Sequence, residues 1–364
     1  MPARGTVAAR LRTRVNTVVL FLSLGLLAAC NEMQYYRQSM QGQFDIWSQA
    51  QDIETLLSGD NLDAEVRNQL RLVLQAREFA GDVLDLSFND SYTRYVDLNR
   101  DYVVKNLYAA EEFSTQLYSW CYPIIGCANY RGYFDLAMLN RYRQQLSVQG
   151  YDTYVGEVTA YSTLGWFDDP VLSTFVGLPD YRLVGLIFHE LAHQQLYIGG
   201  DTSFNESFAT AVEQAGLEQF YGAGDDAQQL QRYRHYRQRM AAAVNLAAQA
   251  REELESLYRQ PLSDATKRRQ KEQVLARLQG QFAGLKNHQT PVFNNARLGA
   301  MAAYHQYVPA FLNILNSHQR NYPRFYLHVR KLGQLESGQR EMCLARWSEF
   351  KGAASAPVPA ICEA

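Results

Sequence analysis

The sequence predicts an α+β fold that is predominantly α-helical, with one small β-sheet and a long helical hairpin. Three observations carry this. Apolar residues recur at helical spacing through most of the chain, strand-like patterning is confined to the stretch between Gly150 and Phe175, and residues 225–286 are rich in Gln, Arg, Ala, Glu and Leu. With 364 residues, 47% of them hydrophobic and 12% aromatic, the chain can bury a large core.

The N-terminus is set apart from the fold. Arg4, Arg10, Arg12 and Arg14 form a basic head, Val15 to Leu27 is nearly all apolar, and Leu27-Ala28-Ala29-Cys30 follows. The apolar run is short for a membrane span, and small residues before a cysteine suit a signal peptidase. This segment resembles bacterial lipoprotein signals. The resemblance implies that residues 1–29 are removed and that Cys30 carries the lipid anchoring residues 30–364; Asn31 after it points to the outer membrane, facing the periplasm. An ordinary signal peptide or a plain signal anchor is the alternative. Removing four arginines and no acids leaves 31 of the 35 basic residues against 37 acidic ones, and that acidic balance argues against a nucleic-acid partner.

The elements follow in order. Between Met33 and Ala80 the spacing predicts two amphipathic helices broken at Gly59-Asp60-Asn61. Residues 92–120 are mixed and aromatic, Cys121 to Gly132 reads as a disulfide-held loop, and a helix is expected from Phe134 to Leu146. One or two strands occupy Tyr154 to Phe167, ended by Asp168-Asp169-Pro170. Asp180 is placed to cap a helix running to about Tyr197, stopped by Gly199-Gly200, and a second helix runs from near Ser203 through Glu218. The hairpin turns near Pro261 and Ser263-Asp264 and is read as an insertion in a single domain spanning residues 30–364. A last helical stretch runs from Asn294 to Leu315. Of the three pairings open to Cys121, Cys127, Cys343 and Cys362, the two local loops, Cys121 with Cys127 and Cys343 with Cys362, close most easily.

His189-Glu190-Leu191-Ala192-His193 is the strongest chemical signal. On a helix the two histidines project from one face one turn apart, so both imidazoles reach a single Zn²⁺, one ion per chain. Glu190 sits round the helix from them and can hold the metal-bound water as general base. The apolar run Leu183 to Phe188 buries that helix at the floor of a cleft. A third histidine of the metzincin kind is excluded, because Leu196 and Gly199 stand where its glycine and histidine would. Glu206, in Asn205-Glu206-Ser207-Phe208-Ala209 on the next helix, is the third ligand; Asp201, in the glycine-rich turn, is its rival.

His189 to Gln194 followed by Asn205-Glu206-x-Phe208-Ala209, with Glu213 seven residues beyond Glu206, resembles the metal-binding core of gluzincin aminopeptidases. The chain looks closest to the bacterial lipoprotein family of zinc aminopeptidases, over most of its exported length. The 12 residues between His193 and Glu206 are fewer than in the larger gluzincins. The resemblance implies a gluzincin-like catalytic core that hydrolyses peptide bonds in peptides or proteins of the cell envelope. It also implies a strand beside the zinc helix, at Glu157 to Trp166, that pairs with substrate; Glu157 would meet a free amino terminus, and Tyr161 would lie along the same strand. Tyr304, with His305 second, is the choice for stabilising the developing oxyanion. Glu213 and Thr210 share a helix face with Glu206 and would orient the ligands. Two other functions are weighed: an endopeptidase of the same metal class, and an inactive metal-binding scaffold using the hairpin, which would not need Glu190.

Overall fold

A computed structural model describes residues 32–86, 89–122, 126–160, 163, 167–222, 227–284, 291–350 and 360–362, without the side chains of residues 227, 303–305 and 360. Cys30 and Tyr161 fall outside these residues, as do the side chains of Tyr304 and His305.

The described chain opens with a helix over residues 32–48 (α1), a two-residue strand β1 (Gln51–Asp52), and helices α2 (Ile53–Ser58) and α3 (Ala64–Asp82). The break at Gly59 to Asp63 falls where expected, and Asp52 and Asp63 cap α2 and α3 by accepting the Thr55 and Glu65 amides. Residues 92–120, which show no periodicity, hold strands β2 (Arg94–Val96) and β3 (Val104–Ala110). The expected loop at Cys121 to Gly132 is instead a hairpin, β4 (Trp120–Tyr122) with β5 (Gly126–Ala128), followed by β6 (Arg131–Tyr133). Cys121 and Cys127 face each other across that hairpin in a disulfide, which is why the glycine near its turn and the covalent link coexist with strand pairing.

Helix α4 (Leu136–Val148) leads to β7 (Asp152–Val158), then β8 (Val171–Leu172) and a one-turn helix α5 (Ser173–Val176). The sheet order β6-β3-β7 is antiparallel throughout, with Val104 opposite Val158 and Ala110 opposite Asp152. Strand β7 therefore has one edge that no described strand pairs. It ends at Val158, so of the described residues of the expected cleft strand at Glu157 to Trp166, only the first two are in a strand. A second small sheet, β1-β2-β8, pins the start of the chain to residues 171–172.

The two long core helices are α6 (Asp180–Gln195) and α7 (Thr202–Phe220). Asp180 does not cap α6. Pro179 occupies the cap position, Asp180 is already inside the first turn, and its carboxylate accepts from Gln69 and Gln229. Helix α6 is buried on nearly all sides, between α3 and α7, because its residues from Leu183 to His193 are apolar apart from the motif itself. The hairpin is α8 (Ala227–Arg259) with α9 (Asp264–Ala283); it has its own apolar seam, with Leu254, Val274, Leu278 and Phe282 buried along it.

That hairpin is tied to the sheet. The Lys271 ammonium, buried, donates to Asp152 Oδ2 at 2.7 Å and to the Glu112 carbonyl at 2.9 Å, and the Asn295 amide reaches the Glu111 and Glu112 carbonyls. The last expected helix is two: α10 (Asn295–His305) and α11 (Val308–Ser317). Pro309, in the first turn of α11, has no N–H and its ring crowds the preceding turn, so one continuous helix cannot pass through it. Helices α12 (Tyr322–Gly333) and α13 (Ser337–Glu349) close the core, and Cys343 is bonded to Cys362.

Helices α6 and α7 cross closely where glycine permits. A Cβ at Gly216 would stand 2.7 Å from the Phe188 ring and 2.8 Å from Leu84 Cδ1. Gly216→Ala should therefore lower stability by about 1–3 kcal/mol through overpacking. Gly280→Ala on α9, where a Cβ meets nothing within 4 Å, should raise it by about 0.5–1 kcal/mol. Urea unfolding of the two variants beside the parent reads both.

Candidate metal centre

The centre is built from one buried helix, one tight turn and the helix that returns from it. Both imidazoles come from α6, one turn apart, with ring centroids 4.9 Å from each other. The turn that follows, residues 196–201, includes Gly200 at φ 84°, a left-handed conformation that favours glycine. Asn205 then clasps it: its amide oxygen accepts the Ile198 N–H and its amide nitrogen donates to the Ile198 carbonyl, each at 2.8 Å. This clasp fixes where the next residue, Glu206, emerges.

Glu206 Oε2 lies 3.3 Å from His189 Nε2 and 3.6 Å from His193 Nε2. Around a four-coordinate ion with ligand bonds of about 2.0–2.2 Å, neighbouring ligand atoms stand roughly 3.3–3.6 Å apart, so these separations match the edges of a coordination tetrahedron. The three ligand atoms all lie within 4.8 Å of one another, and the group could hold a metal ion. Asp201, the rival third ligand, is engaged elsewhere: Oδ1 caps α7 by accepting the Phe204 amide, and Oδ2 accepts from Arg340 Nε at 2.8 Å.

Glu213, two turns beyond Glu206 on α7, places Oε2 3.3 Å from His189 Nδ1. Carboxylates only accept, so without a metal both ring nitrogens carry protons; the Glu213 contact would keep the proton on Nδ1 and leave the Nε2 lone pair for a cation that displaced the other proton. His193 Nδ1 is buried with no hydrogen-bond partner among the described residues. Thr210 lines the same cavity, on the face of α7 between the two acids.

Burial opposes charge on His189, Glu206 and Glu190, and the outcome differs by neighbour. At His189 burial lowers the pKa, but hydrogen bonds to Glu206 and Glu213 outweigh it and hold it well above the usual imidazole value. At Glu206 burial raises the pKa, but the His193 and His189 rings outweigh it and bring the carboxyl down to about 2. At Glu190 burial prevails over the pull of the histidines, and its pKa rises. A divalent cation could take the place of the proton shared among these groups.

The centre opens on a cavity of about 1680 Å³, larger than pockets for single small molecules. Its walls are α6, α7 and α8, one face of the β6-β3-β7 sheet with Asn106 and Tyr108 of β3 and Tyr154, Gly156 and Val158 of β7, Ala300 and Met301 of α10, and Tyr35, Tyr36, Ser39 and Gln43 of α1. Glu157 is on that wall, exposed, and paired with Lys105 Nζ at 3.0 Å. Sequence reasoning missed two tyrosines. Tyr130, between β5 and β6, has its phenol pKa pushed up by burial and then by the negative charges of Glu206 and Glu190, and Tyr197, in the turn after α6, by burial and then by Glu206. Both line the cavity beside the metal-ligating group. Neither stands in a sequence motif; Tyr130 is brought there from a distant segment, whereas Tyr197 lies in the short turn between the two ligand-bearing helices.

Fold and centre together define a mostly helical chain around a His-His-Glu group able to hold a metal ion. The chain belongs to the family described as "Putative aminopeptidase", whose family model matches residues 34–344 and so includes the whole centre. No curated protein and no solved structure matches it.

Glu213 touches His189 without being one of the three converging ligands, so Glu213→Gln should keep the fold and weaken binding of a divalent metal such as zinc by about 10–100-fold. Competition against a chromogenic chelator measures this, with circular dichroism as the check on folding.

Proposed function

We propose that the chain is a zinc-dependent peptidase, an aminopeptidase in its family, acting on peptides or proteins in the bacterial cell envelope. The observation that carries this reading is the convergence of His189, His193 and Glu206 beside a buried Glu190, at the wall of a cavity large enough for a peptide. A structural zinc site would use four protein ligands, most often including cysteines, and three with an open side is the pattern of a catalytic one. Zinc held by the three residues would supply a Lewis acid that acidifies water and polarises the scissile carbonyl.

The remaining steps belong to the chain itself. Glu190, its pKa raised by burial, takes a proton from the attacking water and delivers it to the leaving amine. The open edge of β7 pairs with an extended substrate backbone. Tyr130 and Tyr197, neutral at ordinary pH, are the described donors for the developing oxyanion, in place of or beside Tyr304. Glu213 holds His189 in the tautomer that leaves Nε2 free. The hairpin, tied to the sheet through Lys271, is an insertion in the same catalytic unit and walls the cleft along α8. Residues 1–29 serve as a lipoprotein signal, with Cys30 lipidated and the protein on the outer membrane facing the periplasm; that rests on the sequence pattern alone.

One observation favours an endopeptidase. An aminopeptidase needs a carboxylate to receive the substrate ammonium. Among the described cavity-lining acids, Glu157 is paired with Lys105, Glu213 with His189 and Glu206 with both histidines, and Glu190 is the base.

Protein beginning at Asn31 should bind about one zinc per chain and cleave members of a peptide library. Glu190→Gln should keep the zinc and lower kcat by about 10²–10⁴-fold. Equal cleavage by both proteins would contradict the reading. Loss of cleavage when the peptide amino end is acetylated would mark an aminopeptidase, and retention an endopeptidase.

A further inference from the structure

The outward face of α1 carries an apolar stripe that nothing in the described chain covers. Met33 is 71% exposed, Tyr36 39%, Met40 74% and Phe44 66%. Their spacing of three, four and four residues keeps them within a single face of the helix. At its far end the stripe continues into Trp47, whose ring lies 4.2 Å from that of Phe167, itself 52% exposed. Scattered exposed apolar residues are ordinary, but a continuous row of large ones is not. The inward face of α1 is firmly seated: Tyr35 and Ile46 are buried, and a Cβ at Gly42 would stand within 2.6 Å of the Phe134 ring. The helix is thus fixed to the body with Met33, Met40 and Phe44 turned away from it and Tyr36 at the border between that row and the cavity.

We infer that this face of α1 lies in the interfacial layer of a phospholipid bilayer and sets the orientation of the cleft above it. The occupant is argued from position. The helix is already formed at residue 32, two residues beyond Cys30, so a lipid on that cysteine holds the first turn of α1 at the headgroup level. From Met33 to Phe44 the helix is about 16 Å long at 1.5 Å per residue, so a row of four large side chains can lie along the surface instead of crossing it. Tyrosine and tryptophan rings suit that layer, with an apolar body and one polar atom. Basic residues are scarce on α1, where Arg37 is the single cation, so the helix adds apolar contact while the lipid supplies the anchoring. The consequence for chemistry is geometric. Tyr36, Ser39 and Gln43 of the same helix line the metal-bearing cavity, so the mouth of the cleft is held beside the bilayer, where chains near the membrane surface reach it.

The inference rests on the proposed lipidation of Cys30, and its test separates the two. In lipidated protein the other four cysteines are in disulfides, so a cysteine introduced by Met40→Cys or Phe44→Cys is the one free thiol and takes an environment-sensitive nitrobenzoxadiazole label. The protein is placed in vesicles of phosphatidylethanolamine and phosphatidylglycerol, with Asp45→Cys, on the neighbouring face, as control. Labels at 40 and 44 should shift to the blue and lose most of their emission when the acyl chains are brominated; the label at 45 should do neither. Intact mass reads the lipid directly. If Cys30 carries none, the same labels are read on protein whose Asn31 amino end is coupled to a phospholipid. Water-like emission at 40 and 44 in tethered protein overturns the inference. So does a blue shift that appears without vesicles and grows with protein concentration, since a second copy of the chain would then cover the stripe.

Discussion

Two imidazoles and two carboxylates are held inside an apolar slab where each alone would be costly to charge, and the rest of the fold serves to keep them there. Burial works against ionising His189, Glu206 and Glu190 alike, so their positions are tolerable only because they face one another. That mutual facing depends on a small number of backbone devices. Gly185 and Gly216 let α6 and α7 approach, the Asn205 amide clasps the turn at Ile198, and Asp201 closes the first turn of α7 while gripping Arg340 on α13. None of Gly185, Gly216, Asn205 and Asp201 lines the cavity, yet together they set how α6, the turn and α7 present Glu206 to the rings.

The site was more legible than the scaffold. The motif on α6 and the acid on α7 are local patterns, four residues apart in one helix and one short turn away in the next, and sequence carries such patterns directly. The disulfides were legible for the same reason, both being short loops. Strand β3 was not. It is covered on one face by α4 and on the other by α10, so its residues are buried almost without alternation and lack the period-two signature. Its partners lie at residues 131–133 and 152–158, and such non-local pairing leaves no mark in either segment alone. Tyr130 was hidden among 24 tyrosines for the same reason, since its nearness to Glu206 follows from the topology; Tyr197, four residues after His193, was within reach of the motif but carried no pattern of its own. The Asp180 cap failed on a subtler point: Pro179 takes the cap position because its fixed φ and missing N–H suit a helix start.

The cleft joins parts that the chain order keeps far apart. Its floor is α6, one wall is a face of the sheet β6-β3-β7, and another is α8 of the hairpin. Lys271, buried against Asp152, makes the hairpin and the sheet move as one body, because separating them would strand an ammonium and a carboxylate without partners. The hairpin is thus part of the site's frame, and its tyrosines and arginines face the space a substrate would fill.

X-ray absorption at the zinc edge of the zinc-loaded protein tests the central claim most directly. The account requires two nitrogen ligands and one carboxylate oxygen at about 2.0–2.2 Å, completed by solvent oxygen, with the carboxylate contribution lost in Glu206→Ala. Sulfur in the first shell, a shell of water alone, or a spectrum unchanged by Glu206→Ala would contradict it.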